Sequence, residues 1–321
     1  MGYGRREFKL YWSSIELYEK CPQRFLWSRG FGNIDVGGGP GRRKPLPEKR
    51  SDHHRVMGIV IQDVIERLYN DELWKDPKAR TQKGYLLNKL LDMTREKFHY
   101  ITQKPKFYLP YGAYEPWGKV PTPDEMLEVC LQGVEGYLKT MKANRLLGPY
   151  AKAEVDLVGW INDYNPVGGR ADLIIRRDDS GVTILDGKNS KSKGKYTNPD
   201  QLRWYAMCFY LAFGNMPDRL GFVYYRYPYN GDDEQGVEWV DFTKEDVKGL
   251  ARRAVDTRNL MNKGNFDPTP SPQNCKFCDY ESVCEARLAQ KKKKNSRPRK
   301  PKEIEVKTQE EVGLFELDFN T

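Results

Sequence analysis

Three cysteines near the end of the chain, Cys275, Cys278 and Cys284, follow a Pro-rich loop with the spacing C-x2-C-x5-C. Three thiolates are one short of the four that a structural zinc or an iron-sulfur cluster takes. The expected fourth is Cys21, at a helix end where Pro22 interrupts the hydrogen bonding and holds the thiol at a fixed break. A site of this kind closes almost the whole globular region into one loop, a constraint worth roughly 4–5 kcal/mol by analogy with long-loop crosslinks. Any fold open to this sequence must then bring its two ends together. Cys130 and Cys208 sit in helical patterns among apolar neighbours and read as small buried hydrophobes.

Thiols that bind metal belong in a reducing compartment. No apolar run of about eighteen residues is present and Met1 to Glu7 lacks an apolar signal core, so neither a membrane span nor secretion is expected. The expected location is the cytoplasm, or a nucleus or organelle if the source is eukaryotic. With 321 residues, 38% of them hydrophobic and 12% aromatic, the chain can build one large or two ordinary globular domains. A net charge of +9 suits a polyanionic partner without requiring one.

The chemistry is expected on a β-hairpin. Gly169 to Ile175 and Ile184 to Lys188 are β-rich runs around the turn-forming cluster Arg177-Asp178-Asp179-Ser180-Gly181. Asp186 and Lys188, two apart, point to one face of the second arm, and Asp172 on the first arm can sit across from them. Two carboxylates and an ammonium so placed can hold a divalent cation and activate a water. Charged residues alternating on a solvated strand face give the same pattern.

Around the hairpin, Ser13 and Glu16 form a capping-box pattern for a first helix ending near Cys21, and residues 32 to 50 read as an exposed Gly, Pro and basic loop. Helical spacing returns over Met57 to Leu73, 84 to 101, Glu125 to Leu147 and Thr243 to Lys263; further strands are expected over Ala153 to Ile161 and Gly221 to Tyr227. Asn198 and Pro199 mark a helix start that puts Gln201 and Tyr205 on one face looking back at the hairpin. Between 99 and 120, Tyr100, Phe107, Tyr108, Tyr111, Tyr114 and Trp117 alternate with lysines. That is either a path for single-stranded nucleic acid or a loop tucking its rings into the core.

Taken in order, Cys21-Pro22, Gly169 to Asp172, Asp186-Gly187-Lys188, Gln201 to Tyr205, and Cys275, Cys278 and Cys284 resemble the RecB-like branch of the PD-(D/E)XK nucleases that carries a [4Fe-4S] cluster. That group includes the exonuclease of CRISPR adaptation, the AddB nuclease domain and phage relatives, and the match covers roughly residues 10 to 290. The resemblance implies an α/β fold with a restriction-endonuclease-like mixed β-sheet core flanked by helices, its N- and C-terminal parts joined by the four-cysteine cluster. It further implies a Mg²⁺- or Mn²⁺-dependent DNA exonuclease, acting on single-stranded DNA or duplex ends in recombination, repair or replication.

The residue roles it implies are Asp172 and Asp186 as metal ligands with help from the backbone carbonyl of Asn189, Lys188 to orient the attacking water, and Gln201 and Tyr205 to position the scissile strand. Glu154 matches a family carboxylate expected to support the ligands without touching the metal. One departure stands out: where the family places a metal-binding histidine in G-x-x-x-H, this chain has Gly58 to Gln62. Gln62 offers an amide oxygen, Glu66 one turn on offers a carboxylate, and both favour Mg²⁺ over softer metals. His53 and His54 lie just upstream as substitutes, or are merely solvated. The lost histidine also suits a second reading, a catalytically weak DNA-binding subunit of a helicase or recombination complex.

The domain expectation is a nuclease domain over 1–290, with a helical part at about 55–150 and a catalytic core at about 151–230. A basic disordered linker follows over 291–302, then an acidic, apolar tail over 303–321. Residues 309–319 loosely resemble sliding-clamp binding peptides and are expected to dock on a clamp or a single-strand-binding protein, or simply to solubilise. No G-x4-G-K-[ST] motor motif occurs.

Overall fold

The computed structural model describes residues 8–29, 53–103, 121–147, 150–177, 181–194, 197–227, 236–276 and 278–295. The turn at 178–180, most of the aromatic stretch before 121, the loop over 32–50 and the tail beyond 295 lie outside these residues.

Strand β1 (Leu10–Tyr11) leads into α1 (Trp12–Lys20) and α2 (Pro22–Arg29). Then come α3 (His53–Asn70), the short α4 (Pro77–Thr81), α5 (Tyr85–Thr102) and α6 (Pro123–Ala143). Next are β2 (Ala151–Trp160), β3 (Pro166–Arg177), β4 (Gly181–Lys188), α7 (Pro199–Phe213), β5 (Arg219–Tyr224) and β6 (Val237–Trp239). The chain closes with α8 (Lys244–Asn262), the single turn α9 (Pro272–Cys275) and α10 (Glu285–Asn295).

The helix starts follow the residues that satisfy their free N–H groups. Thr122 and Glu125 form a reciprocal capping box on α6, Thr243 and Asp246 do so on α8, and Asn198 caps α7 with Pro199 behind it. The capping box expected from Ser13 and Glu16 is not formed. Ser13 accepts from Arg29 at 3.0 Å, and Glu16 reaches Asn198 at 3.1 Å, so long-range partners take both side chains. Pro22 does end α1, yet α2 begins on it at once, since a proline at the first helical position loses no hydrogen bond. The first residues of the expected linker, from Lys291, are helical. Nothing breaks the lysine run before Pro298, and Arg287 and Lys291 both pair with Glu281 at 3.0 Å, so α10 continues to Asn295.

The six-stranded sheet runs β1-β3-β4-β5-β6 with β2 on the remaining edge of β3. The β1·β3 and β4·β5 pairs are parallel and the others antiparallel, which makes the sheet mixed. Helices flank it in two cores. Ile61, Leu68 and Tyr69 of α3, Leu90 of α5 and Met141 of α6 pack with Leu173, Leu185 and Val223; Ile15 of α1, Trp204 of α7 and Leu250 of α8 pack with Ile184, Leu220 and Phe222. This is the expected mixed α/β architecture.

Residues two apart on a strand ordinarily share a face. Here Ala153 and Leu173 join the first core while Val155 and Ala171 join the second, so β2 and β3 both change sides at Glu154 and Asp172. Glu154 makes the change with a left-handed backbone, φ 55°, which costs a non-glycine residue about 1–2 kcal/mol.

Candidate active site

Strand β2 covers one edge of β3 from Pro166 to Ile175, so β1 and β4 share the other edge. β1 pairs at Val167 and Gly168, and β4 pairs from Leu173 onward. The strands fork between these two contacts. The next positions beyond Leu173↔Leu185 are Asp172 and Asp186, and the next position between Ala153↔Leu173 and Val155↔Ala171 is Glu154 against Asp172. Three carboxylates therefore stand in one row across β2, β3 and β4 where the ladder opens.

In place of the ladder bond, Asp172 Oδ2 accepts from the Gly187 amide at 2.8 Å. Asp186 is 2% exposed. Its Oδ1 accepts from Gln201 at 2.7 Å, while Oδ2 lies 2.5 Å from the Lys188 ammonium without any donor in hydrogen-bonding alignment. Lys188 also donates to Gln201 Oε1 at 3.1 Å, and the Gln201 amide nitrogen is 3.0 Å from the Tyr205 hydroxyl. Asp186, Lys188, Gln201 and Tyr205 form one connected group, and Asp172 stands beside it in the row, held through the Gly187 amide.

Burial raises the Asp172 carboxyl well above its usual range, with Asp186 adding to the effect. Asp186 is raised by burial too, against the opposing pull of Lys188. Two buried carboxylates that raise each other in this way favour a positive charge beside them. Among the described residues no three His, Cys, Asp or Glu side chains stand as a ready-made shell here, and Asp186 Oδ2 faces the Lys188 ammonium; the donors themselves are all oxygens, the kind a hard divalent ion takes.

Two glycines make this packing possible. A Cβ at Gly169 would come within 2.9 Å of the Tyr205 ring, so the glycine of G-x-x-D is where α7 lies on β3. A Cβ at Gly187 would fall 1.5 Å from the hydroxyl of Tyr225, just past the end of β5. Tyr225 is the site residue that sequence reasoning missed. It is buried, its hydroxyl donates to Gln62 Oε1 at 3.1 Å, and its ring meets Tyr137 edge-on at 5.3 Å. Only the parallel pairing of β4 with β5 brings it to Gly187, and no local motif announces that pairing.

Gln62 occupies the expected place on α3, but both ends of its amide are engaged: the oxygen by Tyr225, the nitrogen by Glu154 Oε1 at 2.5 Å. Glu66 lies half-buried a turn further along, on the helix face where Asn70 accepts from the Ala153 amide. The Asn189 carbonyl accepts from Arg226 at 3.2 Å, and its side-chain oxygen is buried near Gly133 without a hydrogen bond. His53 and His54 stack at 4.2 Å in the first turn of α3, with His53 buried rather than solvated. At 1.5 Å per residue they stand about 12 Å up the axis from Gln62, too far to take its place.

Around Cys21 the two termini of the fold meet. Lys20 O accepts from Thr269 at 2.6 Å and from Asn274 at 2.7 Å, and Tyr280 donates to Trp27 O at 3.1 Å. Cys21, Cys275, Cys278 and Cys284 all line one pocket there, beside Arg24 and Arg287. All are free thiols, and Cys275, Cys278 and Cys284 are buried. Among the described residues no three His, Cys, Asp or Glu side chains stand ready-made as a ligand shell, so the thiols share the pocket without closing on a common centre. Four sulfur donors beside two guanidinium groups fit a thiolate-ligated centre, whose negative charge the arginines would offset.

The chain belongs to the PD-(D/E)XK nuclease superfamily, whose family model matches residues 12–285. Among solved structures it is similar to that of SSO0001, at 20% identity over 73% of this chain and 98% of that one, with a TM-score of 0.33. It is also similar to a "Putative exonuclease" from Eubacterium rectale, at 12% identity over 88% of this chain and 93% of that one, with a TM-score of 0.38. Both similarities are too distant to carry an argument. No curated protein matches the sequence.

Proposed function

We propose that this protein is a metal-dependent deoxyribonuclease of the exonuclease kind, hydrolysing phosphodiester bonds of single-stranded DNA or open duplex ends. The observation that carries the reading is the opening of the β3–β4 ladder at Asp172 and Asp186, with Lys188 and Gln201 both on Asp186. Asp172 and Asp186 would hold Mg²⁺ or Mn²⁺, which supplies a Lewis acid and a water of lowered pKa. Lys188, 20% exposed, would orient an attacking water and offset charge developing on the phosphate. Gln201 fixes Asp186 and Lys188 at once, so both present one geometry to the substrate. Tyr205 holds Gln201 from behind.

The four cysteines are proposed to carry a [4Fe-4S] cluster that fastens α1 and α2 to the segment around α9, as in the iron-sulfur branch that the motif order resembles. Residues 1–290 would form the nuclease proper. The tail at 309–319 is proposed to engage a sliding clamp or single-strand-binding protein. Incubating the purified protein with an end-labelled single-stranded oligonucleotide and Mg²⁺ tests the reading; mononucleotide release that EDTA stops is expected. An oligonucleotide left whole under every metal would end it.

A further inference from the structure

Tyr225 begins a chain of polar contacts that ends on a cation at the mouth of the fork. Its hydroxyl donates to Gln62 Oε1 at 3.1 Å, Gln62 Nε2 donates to Glu154 Oε1 at 2.5 Å, and Glu154 Oε2 pairs with Arg170 Nε at 2.6 Å. Each link fixes the next. A hydroxyl donating to the amide oxygen turns the amide nitrogen toward Glu154, and a carboxylate held through one oxygen presents the other to Arg170. The left-handed backbone at Glu154 sits at the switch between the two cores, facing both Gln62 and Arg170, and strain of this kind collects where a side chain must be aimed.

Arg170 lies two residues before Asp172, and its side chain remains 57% exposed despite the fixed Nε. Among the described residues its terminal nitrogens carry no hydrogen bond. A guanidinium anchored through one nitrogen keeps the other two, a planar pair matched to two phosphate oxygens, and has lost much of its rotamer freedom beforehand. We propose that Arg170 binds a backbone phosphate of the nucleic-acid strand beside the catalytic row, with Glu154, Gln62 and Tyr225 as its positioning residues. This rests on the nuclease reading and deepens it: Gln62, standing where a metal-binding histidine was expected, serves the substrate and not the metal.

The test measures binding of a fluorescent single-stranded oligonucleotide to the full chain carrying Asp186→Asn, without metal, across a range of salt. Arg170→Ala is expected to weaken binding about fivefold to tenfold and to lower the slope of log Kd against log salt by about 0.7, the loss of one phosphate contact on a single strand. Arg170→Lys should keep most of the slope and recover only part of the affinity, because an ammonium supplies charge without the fork. Gln62→Leu and Tyr225→Phe should each give part of the Arg170→Ala loss. In the chain with Asp186 intact, both should leave the Mg²⁺-induced rise in melting temperature as in the unsubstituted protein. An unchanged slope and affinity for a folded Arg170→Ala protein would overturn the inference while leaving the nuclease reading intact. Loss of Mg²⁺ stabilisation in Gln62→Leu would overturn it as well, by making Gln62 a ligand. Absence of oligonucleotide binding by the parent protein would overturn both.

Discussion

Gly187 and Tyr225 occupy one space: a Cβ on Gly187 would lie 1.5 Å from the Tyr225 hydroxyl and 2.3 Å from its ring. Tyr225 is 4% exposed and has no room to withdraw. Gly187→Ala should therefore displace it, break its bond to Gln62 and destabilise the protein by about 1–3 kcal/mol, the usual cost of overpacking. Gly58→Ala on α3, where an added Cβ meets nothing within 4 Å, should instead gain about 0.5–1 kcal/mol in helix propensity. Urea unfolding of the two variants checks both signs.

The paired carboxylates give the metal-free protein a definite pH dependence. Burial raises both Asp172 and Asp186, so between the ordinary carboxylate pKa of about 4 and the raised values the folded state binds more protons than the unfolded one. Stability therefore falls as pH rises through that window. Asp186→Asn keeps the shape and removes the charge. It should raise stability by about 1 kcal/mol at pH 8, roughly 2–4 °C in melting temperature, with a smaller gain at pH 5. Glu96→Gln, at an exposed position of α5, serves as the control. Scanning calorimetry in EDTA measures it, and a gain that grows as pH falls would contradict the sign.

Among the described residues Gln201 is the one side chain that hydrogen-bonds to Asp186, Lys188 and Tyr205 together. Gln201→Glu keeps its size but replaces the donor to Asp186 with an acceptor. Turnover should fall on the order of a hundredfold, the scale of losing one oriented donor in an active site, while KM changes little. A fall confined to KM would place Gln201 on the substrate instead.

The cysteine pocket makes a prediction visible in the test tube. Protein purified without oxygen should be brown, and Cys284→Ser should bleach it. Cys130→Ser and Cys208→Ser should keep the colour, because those two thiols are buried away from the pocket. Burial pushes Cys130 up to about 12 and raises Cys208 as well, which leaves both thiols inert. A colourless protein with one equivalent of zinc would replace the cluster with a zinc clip.

What the sequence made legible follows the range of the interactions involved. The hairpin arms and the starts of α7 and α8 are readable because caps, prolines and alternation act within a few residues. The meeting of Cys21 with Cys275, Cys278 and Cys284 was readable from thiol chemistry, which needs a fourth donor. β1 and β6 were not, since two or three residues show no alternation. The row of Glu154 beside Asp172, the bond from Tyr225 to Gln62 and the capture of Glu16 by Asn198 depend on strand order and packing. No local pattern encodes them, so the contacts of Gln62 with Glu154 and Tyr225 are visible only in the fold.

The most direct test of the central claim is nucleotide release from a labelled single strand by the unsubstituted protein, Asp186→Ala and Lys188→Ala, each with Mg²⁺ and each shown folded. The account predicts release by the unsubstituted protein, none above background for Asp186→Ala, and a rate lowered by about a hundredfold or more for Lys188→Ala. Equal rates for all three would contradict it, because the hydrolysis would then arise somewhere other than the fork between β3 and β4.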